Sequence, residues 1–593
     1  MGHSIGLDLP PRRKPGRGDF DIRPRRAQAW VAQLPRANLG ESARRLYTAL
    51  TETNRLDLPF QDRARFLDTL IAPVTEVVRG LRRHFVGVCS PLPEKNRKAA
   101  AVARHLYAEL ATGYGIAAED LLRRSLVLVN GRLLTRLLYR ATAMWGRALL
   151  TDYETYRPCV PGTWSSIHRL FAFAESRRLH RAVTSDPLAD GRRTTLADEY
   201  KRILLLALAS PYCLRHGEAG QVHRVLEQWA NRAILRRVRT TGELDRHFGI
   251  DLGSDAPPRN LALAPGPLEP ARCRWLDTRS VLELVRDHIL EAGDAAVTTL
   301  TGLHLEDADL PHPLLRRLLA MWSAQPRRHF SRHQARTRVR VALGLSSAHH
   351  LISGTGRDPV SAAPAGGRFF EPARFQEDPA ASGDDGGDVW DRVYPAPESL
   401  ARALAPEEPP PVPGDTPPPR TGVWQVVNES ASGYCLESSQ AEGPVQVGEL
   451  VGLCRDEDGR DWRWSVGVVR WLKFSPDGML RMGVEMLTPD AAAAGVRITA
   501  EPARGAGVQR TLILQGVKRP ATLVLPPVPF REGSRVTLHV LDREIPVRLT
   551  RQLENTGLFA QFQFAPVSPG KQVDRRSSPD GREDELESVW SSI

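Results

Sequence analysis

The period of the hydrophobic pattern changes once along the chain, near residue 326, and that change limits the fold more than any motif does. Before it, apolar residues recur at helical steps. Phe66, Leu67, Leu70, Ile71, Val74, Val78, Leu81 and Phe85 follow three- and four-residue spacings, so they share one helix face. Pro73 inside this run predicts a kink or a split. Asn38-Leu39-Gly40-Glu41 has capping-box spacing ahead of Ala43, Leu46 and Leu50. Further helical stretches cover 121–150, 200–209, 219–239, 278–291 and 312–322, with Pro/Gly-rich breaks near 158–162 and 253–270. After the change, Val339, Val341, Leu343 and Leu345 alternate with Arg340, Ala342 and Gly344, which is strand periodicity. From 421 onward short strands alternate with turn signals, the pattern of small barrels or sandwiches.

The expected architecture is therefore multidomain α + β. A disordered basic tail (1–28) precedes an all-α domain (29–325) that serves as an output or partner-binding module. A β-barrel follows, built from 326–352 and 421–495. It is interrupted by a flexible acidic Pro/Gly-rich insertion (353–420). A second small β-barrel or sandwich (496–567) and a disordered acidic tail (568–593) complete the chain. No window is apolar enough to span a membrane, and the N-terminus lacks the apolar core of a secretory signal. We expect a cytoplasmic location.

Charge divides unevenly between these parts. Residues 1–350 carry 55 Lys and Arg against 35 Asp and Glu, a net +20; 351–425 carry −6 and the remainder −2, which returns the chain's +12. A basic front half can attract an anionic ligand, an acidic protein or nucleic acid. Only 7 of the 81 basic residues are lysine, however, and an arginine bias this strong also follows from genomic base composition. Nucleic acid is not the partner expected on this reading. The six cysteines are scattered without a CxxC pair, so neither a metal site nor a disulfide framework is expected.

Two features carry chemistry. Asn428-Glu429-Ser430-Ala431-Ser432-Gly433 joins two predicted strands and is the chain's single [Asp/Asn]-x-Ser-x-x-Gly. Asn tolerates left-handed backbone, Ser donates and accepts, and Gly permits close backbone approach, so the segment suits a ligand turn. An ordinary hairpin turn uses the same residues. The second feature is an arginine arm just before the strand at Val339. It holds Arg-x-x-x-Arg as Arg328/Arg332 and as Arg332/Arg336. Guanidinium forks there can grip phosphate or the Hoogsteen edge of guanine, and can stack on a base. With 74 arginines in the chain the spacing is uninformative; the position before a barrel strand gives it weight.

Arm and turn together resemble the PilZ domain, a six-stranded barrel that binds cyclic di-GMP. The arm resembles Arg332 and Arg336 leading into TRVRVALGL, and the turn resembles Asn428, Ser430 and Gly433. The stretch SVGVVRWLKFSPDGMLRMGVEML is similar to the family's paired strands. The resemblance implies a PilZ-like six-stranded β-barrel. It also implies cyclic di-GMP as ligand, with no other cofactor, and a site at Arg332, Arg336, Asn428, Ser430 and Gly433, with Arg328 as an alternative arm residue. It implies an effector in which the nucleotide reorients the helical domain and alters a protein partner, for example one of a motility, pilus or envelope system. The spacing of 92 positions between Arg336 and Asn428 requires the insertion to loop out of the barrel, which closure entropy tolerates.

Enzyme signatures are absent from the sequence: no dinucleotide glycine loop, Walker loop, nucleophile elbow or HExxH occurs. The chain is read as a binding protein. The competing reading is a ligand-independent adaptor with a non-binding barrel.

Overall fold

Asn38 opens a helix as its spacing predicts: its side chain accepts a hydrogen bond from the Glu41 N–H at 2.9 Å. In the computed structural model, residues 4–124, 127–188, 191–237, 248–260, 269–291, 310–323, 332–354, 419–439, 443–455, 464–498, 508–516, 519–540 and 543–567 are described. They form two units, divided mainly at His329/Phe330.

The first unit contains α1 (Pro24–Ala32), α2 (Leu39–Asn54), α3 (Phe60–Arg82), α4 (Glu94–Arg123), α5 (Val127–Glu154), α6 (Thr163–Ser176), α7 (Leu196–Leu208), α8 (Glu218–Trp229), α9 (Arg279–Glu291) and α10 (His312–Trp322). α4 is its centre, with α2, α3 and α5 packed on it. Its buried residues lie all round the helix, and many are small. A Cβ at Gly113 would press on Asn54 and Leu67, so the glycine sets how closely α2 and α3 approach. Pro73 does not break α3, which runs unbroken through it. Val74, Leu70 and Leu67 around it are fully buried, and this packing outweighs the one missing backbone hydrogen bond.

Two features depart from the expectation of purely helical structure after a disordered tail. The unit also carries a hairpin, β1 (Val183–Ser185) with β2 (Arg193–Thr195). A four-stranded sheet has the order β3–β6–β4–β5, where β3 is Ile234–Arg237, β4 Phe248–Asp251, β5 Arg259–Asn260 and β6 Cys273–Asp277. Residues 4–22 are not loose but tied to the helices. Glu119 accepts bonds from Ser4 Oγ and from the Ile5 and Gly6 N–H groups, and Arg12 pairs bidentately with Asp120 at 2.5 and 2.9 Å. Ile5 and Ile22 are buried. Composition misses this because the segment is Pro/Gly-rich and its anchors lie about a hundred residues away.

Much of the front half's positive charge is spent internally. Arg82 pairs with Glu154, Arg104 with Asp152, Arg202 with Glu199 and Arg274 with Glu175. Burial pushes the Asp152 carboxyl up to about 6 despite the facing Arg104.

The second unit holds two closed barrels. The first uses β8 (Arg338–Leu343), β9 (Thr421–Ser430), β10 (Gly433–Ser438), β11 (Leu450–Arg455), β12 (Ser465–Phe474) and β13 (Leu480–Thr488), closed by β9 pairing with β10. A short strand β7 (His333–Gln334) precedes β8 and adds to β9. β8 and β9 are antiparallel neighbours with Val341 opposite Gly422, so the long insertion joins two adjacent strands without breaking the ring. Its residues 355–418 lie outside those described. The second barrel closes in the order β14–β15–β16–β19–β18–β17, from β14 (Asp490–Ile498), β15 (Gln509–Gly516), β16 (Arg519–Leu525), β17 (Arg535–Val540), β18 (Arg543–Asn555) and β19 (Ala560–Pro566). Between the barrels sits α11 (Leu345–Ile352), a helix the strand-like alternation around it does not reveal. Ala348 of α11, Leu450, Val466 and Val468 of the first barrel, and Leu512, Leu514, Val524 and Phe559 of the second share one apolar cluster.

Candidate functional site

Strand β9 is regular until Val427. Leu436 of β10 faces Val426, but the next pair is Cys435 with Asn428, so Val427 is a bulged extra residue. Leu436 and Val426 are fully buried. Side chains alternate along β10, so Cys435 and its partner Asn428 lie on the barrel's outer face, as does the Gly433–Ser430 pair. Without the bulge, Asn428 and Ser430 would continue the inward row of Trp424 and Val426. The bulge re-aims them, as bulges beside functional surfaces do.

The arm meets this face along the other edge of β9. His333 pairs with Glu429 and Gln334 with Asn428. The Ala335 N–H donates to the Val427 carbonyl at 3.3 Å, and the Val426 N–H to the Thr337 carbonyl at 2.8 Å. Gln334 shares the face of its partner Asn428, and Arg332, two residues earlier, shares it by strand period. Arg332 and Arg336 are both exposed, and neither has an ion-pair partner among the described residues. Arg328 lies outside those residues.

One register row therefore crosses the outer surface: Gln334, Asn428, Cys435 and Gly483. Burial pushes the Cys435 thiol up, against the pull of the Arg481 and Arg332 guanidiniums. Arg481 is held by Glu437, its ladder partner, at 3.1 Å. At the end of the row a Cβ on Gly483 would collide with the indole of Trp471; atoms Nε1, Cε2 and Cδ1 are the nearest. The ring thus lies over the glycine. Beside it Arg470 reaches Glu485 at 2.6 Å and makes a bidentate pair with Glu554 of the second barrel.

Gly433 has a different duty from the one its sequence context suggests. Its φ is not positive. A Cβ there would strike the Val484 carbonyl oxygen, so the glycine admits the backbone of β13 rather than a ligand. Asn428 is likewise extended, not left-handed. The turn itself is only Ala431-Ser432, between the paired Ser430 and Gly433, and the Ser430 hydroxyl donates to the Gly433 carbonyl at 3.3 Å. Trp471 and Arg481 stand beside this row through packing on Gly483 and the pair with Glu437, and neither belongs to the arm or the turn read from the sequence.

Among the described residues no group of three or more His, Cys, Asp or Glu could hold a metal ion, and the cysteines are free thiols. No described helix is long and apolar enough to cross a membrane.

Residues 247–493 match the family model described as the cyclic-di-GMP receptor FimW middle PilZ domain. The barrel is a PilZ domain. The models for the FimW N-terminal domain and C-terminal beta-barrel domain match 25–240 and 494–567, flanking the PilZ domain in the same order. The Cyclic-di-GMP receptor FimW of Pseudomonas aeruginosa is 29% identical over 622 aligned positions, covering 97% of this chain and 96% of that protein. The PilZ family is a binding family and not an enzyme family, which agrees with the missing catalytic signatures. The arm and the [D/N]xSxxG segment of the PilZ domain are thus brought together on one face.

Proposed function

We propose that the chain is a cytoplasmic cyclic di-GMP receptor whose ligand lies on the outer face of β9, β10 and β13. The observation that carries this reading is the β7–β9 pairing, which lays the arginine arm beside Asn428 and Ser430. Arg332 and Arg336 supply two cationic forks for a ligand with two phosphates and two guanines. Such forks are strong when charge-assisted. The Asn428 amide and Ser430 hydroxyl offer donors and acceptors to a guanine edge or a ribose. The likeness to a relative named as a cyclic-di-GMP receptor over nearly its whole length supports the same ligand.

The effector mechanism is a population shift. Bound nucleotide favours an arm closed on the barrel, and the arm is the segment that leads back to the helical domain. What that domain presents to a protein partner changes with it; a motility, pilus or envelope component is the partner class in view. Isothermal titration of the purified chain tests the ligand. Saturable binding at micromolar or tighter affinity is expected, weakened at least several-fold in Asn428→Ala and Ser430→Ala. Absence of binding to the wild type overturns the reading and leaves the ligand-independent adaptor.

A further inference from the structure

The ladder of the second barrel sets two arginines directly opposite each other. Arg535 of β17 is the register partner of Arg548 of β18. Their neighbours Val536 and Val547 fill the barrel, so both arginines point outward by strand period, and both are exposed. Like charges directly opposite in an antiparallel pair destabilise it. The same outer face carries the exposed Arg497 of β14 and Arg551 of β18. The described carboxylates around it are already engaged. Glu544 is shared by Arg497 at 3.7 Å and His539 at 3.4 Å, Glu532 accepts from the Gln552 N–H at 2.7 Å, and Glu554 is paired with Arg470. A sheet face that keeps this repulsion is suited to an anionic occupant with several charges.

The chain itself supplies one. β19 ends at Pro566, and the Val567 N–H donates to the Pro546 carbonyl at 2.9 Å. Pro546 precedes Arg548 by two residues on β18, so the backbone leaves the barrel beside the basic face. Residues 568–593 lie outside those described. Their sequence holds Glu583-Asp584-Glu585-Leu586-Glu587, four carboxylates in five positions. Sixteen positions separate Val567 from Glu583, a reach of up to about 50 Å, while strands β14, β17, β18 and β19 span about 15 Å. We propose that the outer face of β14, β17 and β18 is the docking site of this acidic run of the same chain. Carboxylates form paired, charge-assisted bonds with guanidinium forks, which relieves the Arg535/Arg548 repulsion. Attachment in cis sets an effective concentration on the order of millimolar, so individually weak exposed pairs suffice. The docked run occupies a positive surface that would otherwise attract acidic proteins or nucleic acid, and so governs what else can bind the second barrel. The inference is independent of the nucleotide site.

Zero-length carbodiimide coupling of the full chain tests the contact, because it joins a carboxylate only to an amine that touches it. Arg548→Lys puts an amine on the face with the charge retained. Arg132→Lys, at an exposed position on α5, is the reference. Peptide mapping of the monomer at low salt is expected to find the new amine of Arg548→Lys joined to Glu583–Glu587. The yield should exceed that of Arg132→Lys at least about fivefold and fall about tenfold near 1 M salt, where the Debye length is about 3 Å. Combining Arg548→Lys with Glu583→Gln, Asp584→Asn, Glu585→Gln and Glu587→Gln should abolish the product. Coupling of that amine to residues 353–420 instead, to Glu544 alone, or only to the run of a second copy overturns the assignment. So does the absence of coupling, or an equal yield from Arg132→Lys.

Discussion

The two barrels of the second unit close with the same number of strands and differ in what their outer faces do. In the second, Val496, Ile513, Leu523, Val536, Val547 and Phe562 fill the interior. Leu512, Leu514 and Val524 face outward, but they are buried in the shared cluster with α11 and the first barrel. Its surface is a packing platform. In the first barrel, the Val427 bulge turns Asn428 and Ser430 outward and β7 lies along them, while Gly433 and Gly483 make room for the β13 backbone and the Trp471 indole. Closure alone does not distinguish the two faces. One extra residue in a strand and an added arm do.

The largest expected effect breaks the platform. Phe562→Ala should cost about 3–5 kcal/mol in the urea unfolding of the barrel unit, while the nucleotide affinity of the remaining folded protein stays within about twofold. A large affinity loss would mean that the second barrel shapes the ligand face directly. Next comes Gly433→Ala. Its Cβ meets a backbone oxygen that cannot swing away, so a loss of about 1–3 kcal/mol is expected, as for overpacking. An unaltered unfolding midpoint would show that β13 can retreat.

A smaller effect measures the joint between the barrels. A double-mutant cycle on Arg470 and Glu554 should give a coupling of about 0.5–1 kcal/mol, because the pair is partly exposed and Glu485 shares the guanidinium. Zero coupling would assign the joint to its apolar cluster alone. The smallest effect is a pH dependence in the second barrel. Burial lowers the pKa of His539 below its ordinary 6.5, against the pull of Glu544 at 3.4 Å. The unfolded chain then binds the proton more readily than the folded one. The stabilising difference is present above about pH 6.5 and is lost as pH falls through the folded value. Wild type should therefore lose stability relative to His539→Asn as pH drops from 7 to 5, and parallel curves would contradict this.

Much of this organisation is legible in the sequence. The change of period at 326 separates helices from barrels because a 3.6 and a 2.0 repeat cannot share an element. Asn428, Ser430 and the arginine arm are found by type and order. Their placement is not, because a bulge at Val427 looks like any strand residue until its partner strand is known. The same limit hides the packing of the Trp471 indole on Gly483, twelve residues on, and the anchoring of residues 4–22 by Glu119 and Asp120. α11 escapes because eight residues with Ser346 and Ser347 near the start lack a clear helical stripe. Gly433 shows the opposite limit: its place in a ligand-turn motif suggests closeness to a ligand, whereas the structure uses its missing side chain to admit the Val484 carbonyl.

Titration of cyclic di-GMP into two paired variants tests the central contrast most directly. Arg332→Ala/Arg336→Ala removes the exposed arm of the first barrel, and Arg535→Ala/Arg543→Ala removes two exposed arginines from the second. The account predicts binding lost, or weakened at least a hundredfold, in the first variant and unchanged in the second. Equal weakening in both would reduce the arm to one part of a diffuse positive surface, and would contradict a site built by β7 against β9.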